Sequence, residues 1–202
     1  MAWKSLLIAY LFICGSSAQY WADFFNRDAA SPENKPDEII SALGLKPGMG
    51  VADLGAGGGY FTLRFARAVG KEGKVYAVDI REDLLEIIRD AVSKSRLDNV
   101  VYVCAREDDS MLPEGSADLI FVRNVFHHLP DQEKYFRNIR PKLRPGGRIA
   151  IIEYKKGSYY AGHETPEETV IASMKKAGYA LWKRYHFLEK QSFTIFIPAE
   201  SR

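Results

Sequence analysis

An α/β fold, a Rossmann-like three-layer sandwich around a mostly parallel seven-stranded sheet, is predicted by three features of the chain. Seven apolar runs of strand length (49–54, 74–79, 100–104, 117–122, 149–154, 179–187 and 192–197) alternate with helical patterns over most of the sequence, the order that builds parallel sheets. The first run passes through a glycine-rich bend directly into a helix. The last two runs are joined by only 188–191, too short for a crossover, so they must pair antiparallel and end the sheet as a hairpin. With 202 residues, 47% hydrophobic and 27% charged, the chain has the size and composition of one continuous core.

The first eighteen residues have a different character. Met1-Ala2-Trp3-Lys4 precedes an apolar run over 6–14 and the small residues Gly15-Ser16-Ser17-Ala18. A basic start, a short apolar centre and small residues at Ser16 and Ala18 predict a secretory signal peptide over 1–18, cleaved after Ala18, with 19–202 as a single domain. The expected location is then secreted or periplasmic, with an uncleaved N-terminal membrane anchor as the alternative. No stable membrane span is expected, because the run is shorter than the roughly 20 apolar residues a span needs. N-terminal sequencing of the purified protein should begin at Gln19; a start at Met1 or Ala2 would remove the signal peptide.

Composition excludes several classes of partner. A net charge of +2, from 28 basic and 26 acidic residues, gives no reason to expect nucleic acid. The most basic stretch, 183–190, is interrupted by Tyr185, Phe187, Leu188 and Glu189 and predicts a solvated edge. Cys14 would leave with the signal peptide, so Cys104 stands alone and is expected to be buried and structural; neither a disulfide nor a thiolate metal site can form. The four histidines are scattered, without HExxH-type spacing, and no metal is expected.

Taken in order, 20–44 carries Trp21, Phe24 and Phe25, then Pro32, Pro36 and a helix over 37–43 that ends at Gly44, a flank or lid leading into the core. The turn Lys46-Pro47-Gly48 opens the first strand. Gly55-Ala56-Gly57-Gly58-Gly59-Tyr60 follows, and Phe61, Phe65 and Val69 recur at four-residue spacing, which predicts a helix packed by one face. Glycines admit a ligand close to the backbone, and the N–H groups of a first helical turn favour polar or anionic groups. A dinucleotide fingerprint would place its third glycine at Tyr60, whose side chain would crowd a pyrophosphate. Asp53, two residues ahead of Gly55, is likewise wrong for a pyrophosphate and right for a ligand carrying an ammonium group.

This stretch resembles motif I of the class I S-adenosylmethionine (SAM) methyltransferases, D-x-G-x-G-x-G, and the resemblance extends over about 37–198, closest to the ubiquinone/menaquinone-biosynthesis-like and type 11 small-molecule members. It implies that Asp53, Gly55, Ala56, Gly57, Gly59 and Tyr60 hold the methionine end of SAM. The second strand ends in Asp79, 26 positions after Asp53. An acid there can accept two hydrogen bonds from a ribose diol, with Ile80 beside it, while Asp83 reads as the cap of the next helix (Leu84, Ile88, Ala91). After the third strand the resemblance implies an adenine-binding acid at Asp108, five residues before Pro113, with Asp109 as the alternate.

The fourth strand ends at Arg123-Asn124, and Val125-Phe126-His127-His128-Leu129-Pro130 is similar to the motif IV region. Asn124 is expected at the cofactor. His127 and His128 lie at the carboxyl end of a strand, where open α/β sheets place ligands, and either could act as a general base; the alternative is that one caps backbone while the other contacts SAM. Asp131 should cap a helix bearing Tyr135, Phe136, Ile139 and Leu143. The turn L-x-P-G-G then precedes the fifth strand, and a helix over 167–177 precedes the hairpin. His163, Tyr159 and Tyr160 lie on the rim expected to face the substrate.

The implied reaction is direct displacement of the sulfonium-activated methyl by an O-, N- or C-nucleophile of a small-molecule acceptor. A catalytically silent module that binds SAM or S-adenosylhomocysteine is the alternative. An NAD-dependent oxidoreductase is disfavoured by Tyr60 and the terminal hairpin. Neither the acceptor nor the oligomeric state is legible.

Overall fold

All five residues of β1 (Gly50–Leu54) are buried, as expected of a central parallel strand covered on both faces. The computed structural model describes residues 17–158 and 163–200. Around β1 lie β2 (Lys74–Asp79), β3 (Val100–Cys104), β4 (Ala117–Arg123), β5 (Leu143–Tyr154), β6 (Tyr179–Tyr185) and β7 (Gln191–Pro198), in the sheet order β3-β2-β1-β4-β5-β7-β6. The first five are parallel; β7 runs antiparallel to both β5 and β6. The predicted seven-stranded sheet and its closing hairpin are therefore both present.

Helices cover the two faces. Residues 17–30 form α1, followed by α2 (Pro36–Leu43), α3 (Tyr60–Val69), α4 (Glu82–Lys94), α5 (Gln132–Ile139) and α6 (Glu167–Lys176). On one face Ile39 and Leu43 of α2 and Phe61 and Phe65 of α3 pack with Val51, Val75, Leu119, Phe121 and Ala150. Leu85, Ile88 and Val92 of α4 pack with Ala77 on that same face. On the other, Tyr135, Phe136, Val170 and Met174 of α5 and α6 pack with Ala52, Leu54, Ile120, Val122 and Ile151. The rings of Phe61 and Phe65 stand 4.9 and 5.2 Å from that of Phe121, and burying side chains of this kind contributes roughly 1.5–3 kcal/mol each. Asp131 caps α5 as expected, accepting from the Lys134 N–H at 2.9 Å.

Several local expectations are corrected. Cys104 is exposed rather than buried, because β3 is an edge strand whose faces are only half covered. The N-cap of α4 is Arg81; Asp83 lies within the first turn, paired with Arg81 at 2.7 Å. α5 stops at Ile139, and Leu143 begins β5 opposite Ala117. The L-x-P-G-G turn is thus an irregularity inside β5, where the register shifts between Ala117 and Leu119. β6 is the other edge, with Trp182, Lys183 and Arg184 exposed, in agreement with a solvated basic stretch. The signal peptide prediction falls largely on residues 1–16, outside the described residues; Ala18 lies within α1 and is buried. Among the described residues no helix is long and apolar enough to cross a membrane.

Candidate active site

Parallel strands bring their carboxyl ends to one side of the sheet, so the tips of β3, β2, β1 and β4 stand in a row there. Asp53 lies one residue from the end of β1 and is buried; the Thr62 hydroxyl donates to its Oδ2 at 2.6 Å. Burial pushes the Asp53 carboxyl up to about 7, the neighbouring Asp79 charge adds to the rise, and the Thr62 hydrogen bond opposes it. Asp79, the last residue of β2, accepts from the Gly57 N–H through Oδ2 at 2.9 Å and from the Arg81 N–H through Oδ1 at 3.0 Å. Burial raises its pKa and those amide bonds oppose the shift. Ile80, directly beyond it, is 59% exposed, an apolar surface open beside the acid. After β3, Arg106 and Asp109 pair across a tight turn with Asp108 exposed at its tip, while Asp109 Oδ1 accepts from the Met111 N–H at 2.9 Å.

The glycine loop is fixed from three sides. Gly55 and Ala56 donate to the Val78 carbonyl at 2.8 and 3.0 Å, tying the loop to β2. Gly55 has φ +74°, and a Cβ there would fall 2.2 Å from Cγ2 of Val125; only glycine permits this contact between the loop and the segment leading to His127. At Gly58 a Cβ would fall 2.3 Å from the Ala22 carbonyl oxygen, so α1 lies directly on the loop. Asn26 of α1 donates to the Gly58 carbonyl at 3.0 Å and accepts from the Tyr60 N–H at 3.1 Å. Gly59, the N-cap of α3, has no side chain, and Asn26 supplies the missing cap from another helix.

This changes two expectations. The Tyr60 N–H is occupied by Asn26, so it is not a free donor of the first helical turn. The Tyr60 ring also points away from the strand tips: its hydroxyl accepts from Arg64 at 2.8 Å, and both residues line a surface hollow of about 580 Å³ with Ile40 and Arg67. Phe25 of the aromatic segment packs on the glycine loop. Phe25 faces Gly57 and stacks with Trp21 at 5.8 Å, and both rings remain partly exposed. An ion pair between Asp28 and Arg123, at 2.8 Å, ties α1 to the end of β4.

Beyond β4, Asn124 adopts φ +56° and its Oδ1 accepts from Gln191 Nε2 at 2.7 Å. The next residues form a single 3-10 turn, Phe126–His128. Glu153, fully buried near the end of β5, holds that turn in place. One of its oxygens accepts from the Phe126 N–H at 2.7 Å and the other bonds His127 Nδ1 at 2.8 Å. A carboxylate only accepts, so the His127 proton sits on Nδ1 and the Nε2 lone pair is presented to His163 Nδ1, 3.1 Å away. His163 arrives because the chain after β5 folds back, with the Thr165 N–H donating to the Tyr154 carbonyl at 3.0 Å. The His128 ring lies 4.0 Å from that of His127 and 5.4 Å from that of His163. Partial desolvation and the two neighbouring imidazoles hold His128, though exposed, below the ordinary histidine value. Tyr159 and Tyr160 lie outside the described residues.

Sequence reasoning missed two of these groups. Glu153 had a signal, an acid one residue from the end of the apolar run 149–154, as Asp53 is one residue from the end of β1. Asn26 had none, because its partners lie 32 and 34 positions along the chain.

Comparison with known proteins bears on this arrangement. A family model described as a methyltransferase domain matches residues 52–151, from β1 to β5. The ubiquinone/menaquinone biosynthesis C-methyltransferase UbiE of Vibrio vulnificus is 35% identical over 118 residues, which are 58% of this chain and 45% of that protein. The chain thus spans about half the length of the curated relatives it matches. Among solved structures, a SAM dependent methyltransferase from Aquifex aeolicus superposes with a TM-score of 0.74 at 28% identity, covering 80% of this chain and 88% of the other. The [4+2]-cyclase SpnF superposes with a TM-score of 0.67 at 14% identity, covering 83% of this chain and 81% of the other. It shares the fold alone, and its reaction shows that a fold does not fix a chemistry.

Proposed function

Because the chain belongs to the class I SAM-dependent methyltransferases, we propose that it transfers the methyl group of SAM to a nucleophilic O, N or C atom of a small molecule. The observation that carries this reading is Asp79, joined to the glycine loop through the Gly57 N–H and lying on the adjacent strand two residues beyond Ala77, the register partner of buried Asp53. The two remaining lone-pair positions of the Asp79 carboxylate suit a ribose diol. Asp53 and the loop take the methionine end, where a buried carboxylate favours an ammonium group. Exposed Ile80 covers one face of the adenine, and Asp108 or Asp109 takes its amino group.

The acceptor lies on the β4–β5 side, against the histidines. Methyl transfer from a sulfonium is a direct displacement, so positioning and exclusion of water supply most of the acceleration. His127 and His128 promote loss of the acceptor proton, Glu153 keeps His127 in one tautomer, and His163, Tyr159 and Tyr160 line the acceptor side. Trp21 and Phe25, packed on the loop by α1, shield the donor from solvent. The proposed location is secreted or periplasmic, on the strength of residues 1–18.

Incubation with methyl-labelled SAM and a panel of quinols, phenols, amines and cell extract tests the proposal, alongside native mass spectrometry of the purified protein. Label transfer to an extractable small molecule is the expected result. An adenosyl ligand bound without turnover in any extract would leave a SAM-binding module instead, and absence of both would remove the reading.

A further inference from the structure

The three histidines gathered at the tips of β4 and β5 have the form of a metal centre. We propose that His127, His128 and His163 bind one divalent transition-metal ion of the zinc class, with Glu153 orienting His127 from behind. The potential ligand atoms of the three rings all lie within 4.8 Å of one another. Two imidazole nitrogens on a tetrahedral zinc, at about 2.0–2.1 Å each, stand about 3.3 Å apart. His127 Nε2 and His163 Nδ1 are already at 3.1 Å, so an ion between them needs only a small adjustment of the exposed His163, and a His128 ring nitrogen lies within 4.8 Å of both. A hydrogen bond explains the contact between His127 and His163, but it gives no reason for the third ring to converge on the same point.

The support behind the cluster points the same way. Metal-bound histidines usually give their second ring nitrogen to a carboxylate, which fixes the tautomer and leaves the other nitrogen free to ligate. His127 has this arrangement: Nδ1 is held by Glu153, whose side chain is 0% exposed, and Nε2 faces the cluster. Glu153 is itself locked by the Phe126 N–H. Neutral imidazoles suit zinc, copper, nickel and iron in preference to magnesium or calcium. Three protein ligands leave a fourth position open, the pattern of catalytic and not structural zinc. The residues come from an adjacent pair and a third histidine 36 positions from His127, which is why no helical spacing announces them and why the sequence predicts no metal.

The role of the ion rests on the methyl-transfer reading; its binding does not. An acceptor hydroxyl in the open position would lose its proton to water and bind as the anion. Its lone pair then forms the bond to the methyl carbon as the carbon–sulfur bond of the sulfonium breaks. The electrons of that bond go to sulfur, leaving neutral S-adenosylhomocysteine. The methylated acceptor no longer carries a negative charge and is the weaker ligand, so it leaves. The substrate class this assigns, within the O, N and C acceptors proposed above, is an acceptor with an ionisable O–H.

The test uses untagged, chelator-stripped full-length protein titrated with Zn²⁺ by calorimetry and with Co²⁺ followed by visible d–d absorption. One ion per chain is expected. Glu153→Gln should weaken binding by about 10–100-fold and His163→Ala by more than that, whereas His186→Ala, which removes the exposed histidine outside the cluster, should leave it unchanged. Equal affinity in wild type and His163→Ala, or no binding by wild-type protein with a cooperative melting transition, would overturn the site. A parallel SAM titration keeps the two proposals apart. SAM binding without zinc binding ends the metal proposal alone; zinc binding without SAM binding upholds the site and ends its role in methyl transfer.

Discussion

Asp79→Ala is expected to weaken SAM binding by at least about 100-fold, the largest single effect in the cofactor site. Each Asp79 oxygen already holds one backbone amide, of Gly57 and of Arg81. A carboxylate has about four lone-pair sites, so one on each oxygen remains for the two hydroxyls of a ribose. Hydrogen bonds to a charged group are worth about 1.5–3 kcal/mol each, and a pair of them corresponds to two or more orders of magnitude in affinity. The substitution also releases the Gly57 N–H, which loosens the loop on which the methionine end rests. Calorimetric titration at neutral pH measures the effect, and a melting curve of each variant separates lost binding from lost folding. Asp83→Ala is the control. Asp83 forms an exposed ion pair with Arg81, and such pairs contribute roughly 0–1 kcal/mol, so affinity should barely move. A dissociation constant for Asp79→Ala within threefold of wild type would show that the acid does not hold the cofactor.

Asp79 is legible because it belongs to a pattern that local sequence carries. Parallel strands covered on both faces appear as unbroken apolar runs, and a charge at the end of such a run has to be at the tip. That logic finds β1 to β4 within a residue or two, together with Asp53 and Asp79. It works less well where neighbours across the sheet decide the outcome. Nothing in Val100–Cys104 says that β3 is an edge strand, so the sequence predicts Cys104 inside and the fold places it outside. Nothing in the L-x-P-G-G turn says that β5 resumes pairing at Leu143.

The contacts that complete the site are less local still. Asn26 reaches Tyr60, Asp28 reaches Arg123, and His127 meets Glu153 and His163. Each joins segments brought together only by the crossovers of the finished sheet. Glu153 is within reach of the strand-tip rule when that rule is applied to β5 as it is to β1 and β2. The fold gathers the residues around the histidines by topology and leaves no spacing in the chain to mark them.

The pH dependence of the ligand-free protein should expose Asp53. Its carboxyl has a pKa of 3.8 in the unfolded chain and about 7 in the folded one. Below about pH 4 both states hold the proton and the group has no effect. Between about pH 4 and 7 the folded state keeps a proton that the unfolded state releases, so stability falls as pH rises, and above about 7 the loss is complete. A rise of about three in pKa, at 1.36 kcal/mol for each, sets a ceiling of about 4 kcal/mol. Asp79 moves in the same direction, so the clean measurement is a difference: denaturant unfolding of wild type and Asp53→Asn at pH 5 and pH 8. The variant should gain on wild type by about 2–3 kcal/mol between those two pH values, the part of that ceiling lost above pH 5. SAM should reverse the sign, because its sulfonium and ammonium groups favour the ionised carboxylate and recover what burial costs. Wild-type affinity should then strengthen as pH rises from about 5.5 to 7, approaching tenfold per pH unit for one released proton, and the slope should flatten in Asp53→Asn. A stability gap that stays constant from pH 5 to pH 8 would mean that Asp53 ionises normally, and that the buried acid beneath the glycine loop is not poised for a cationic ligand.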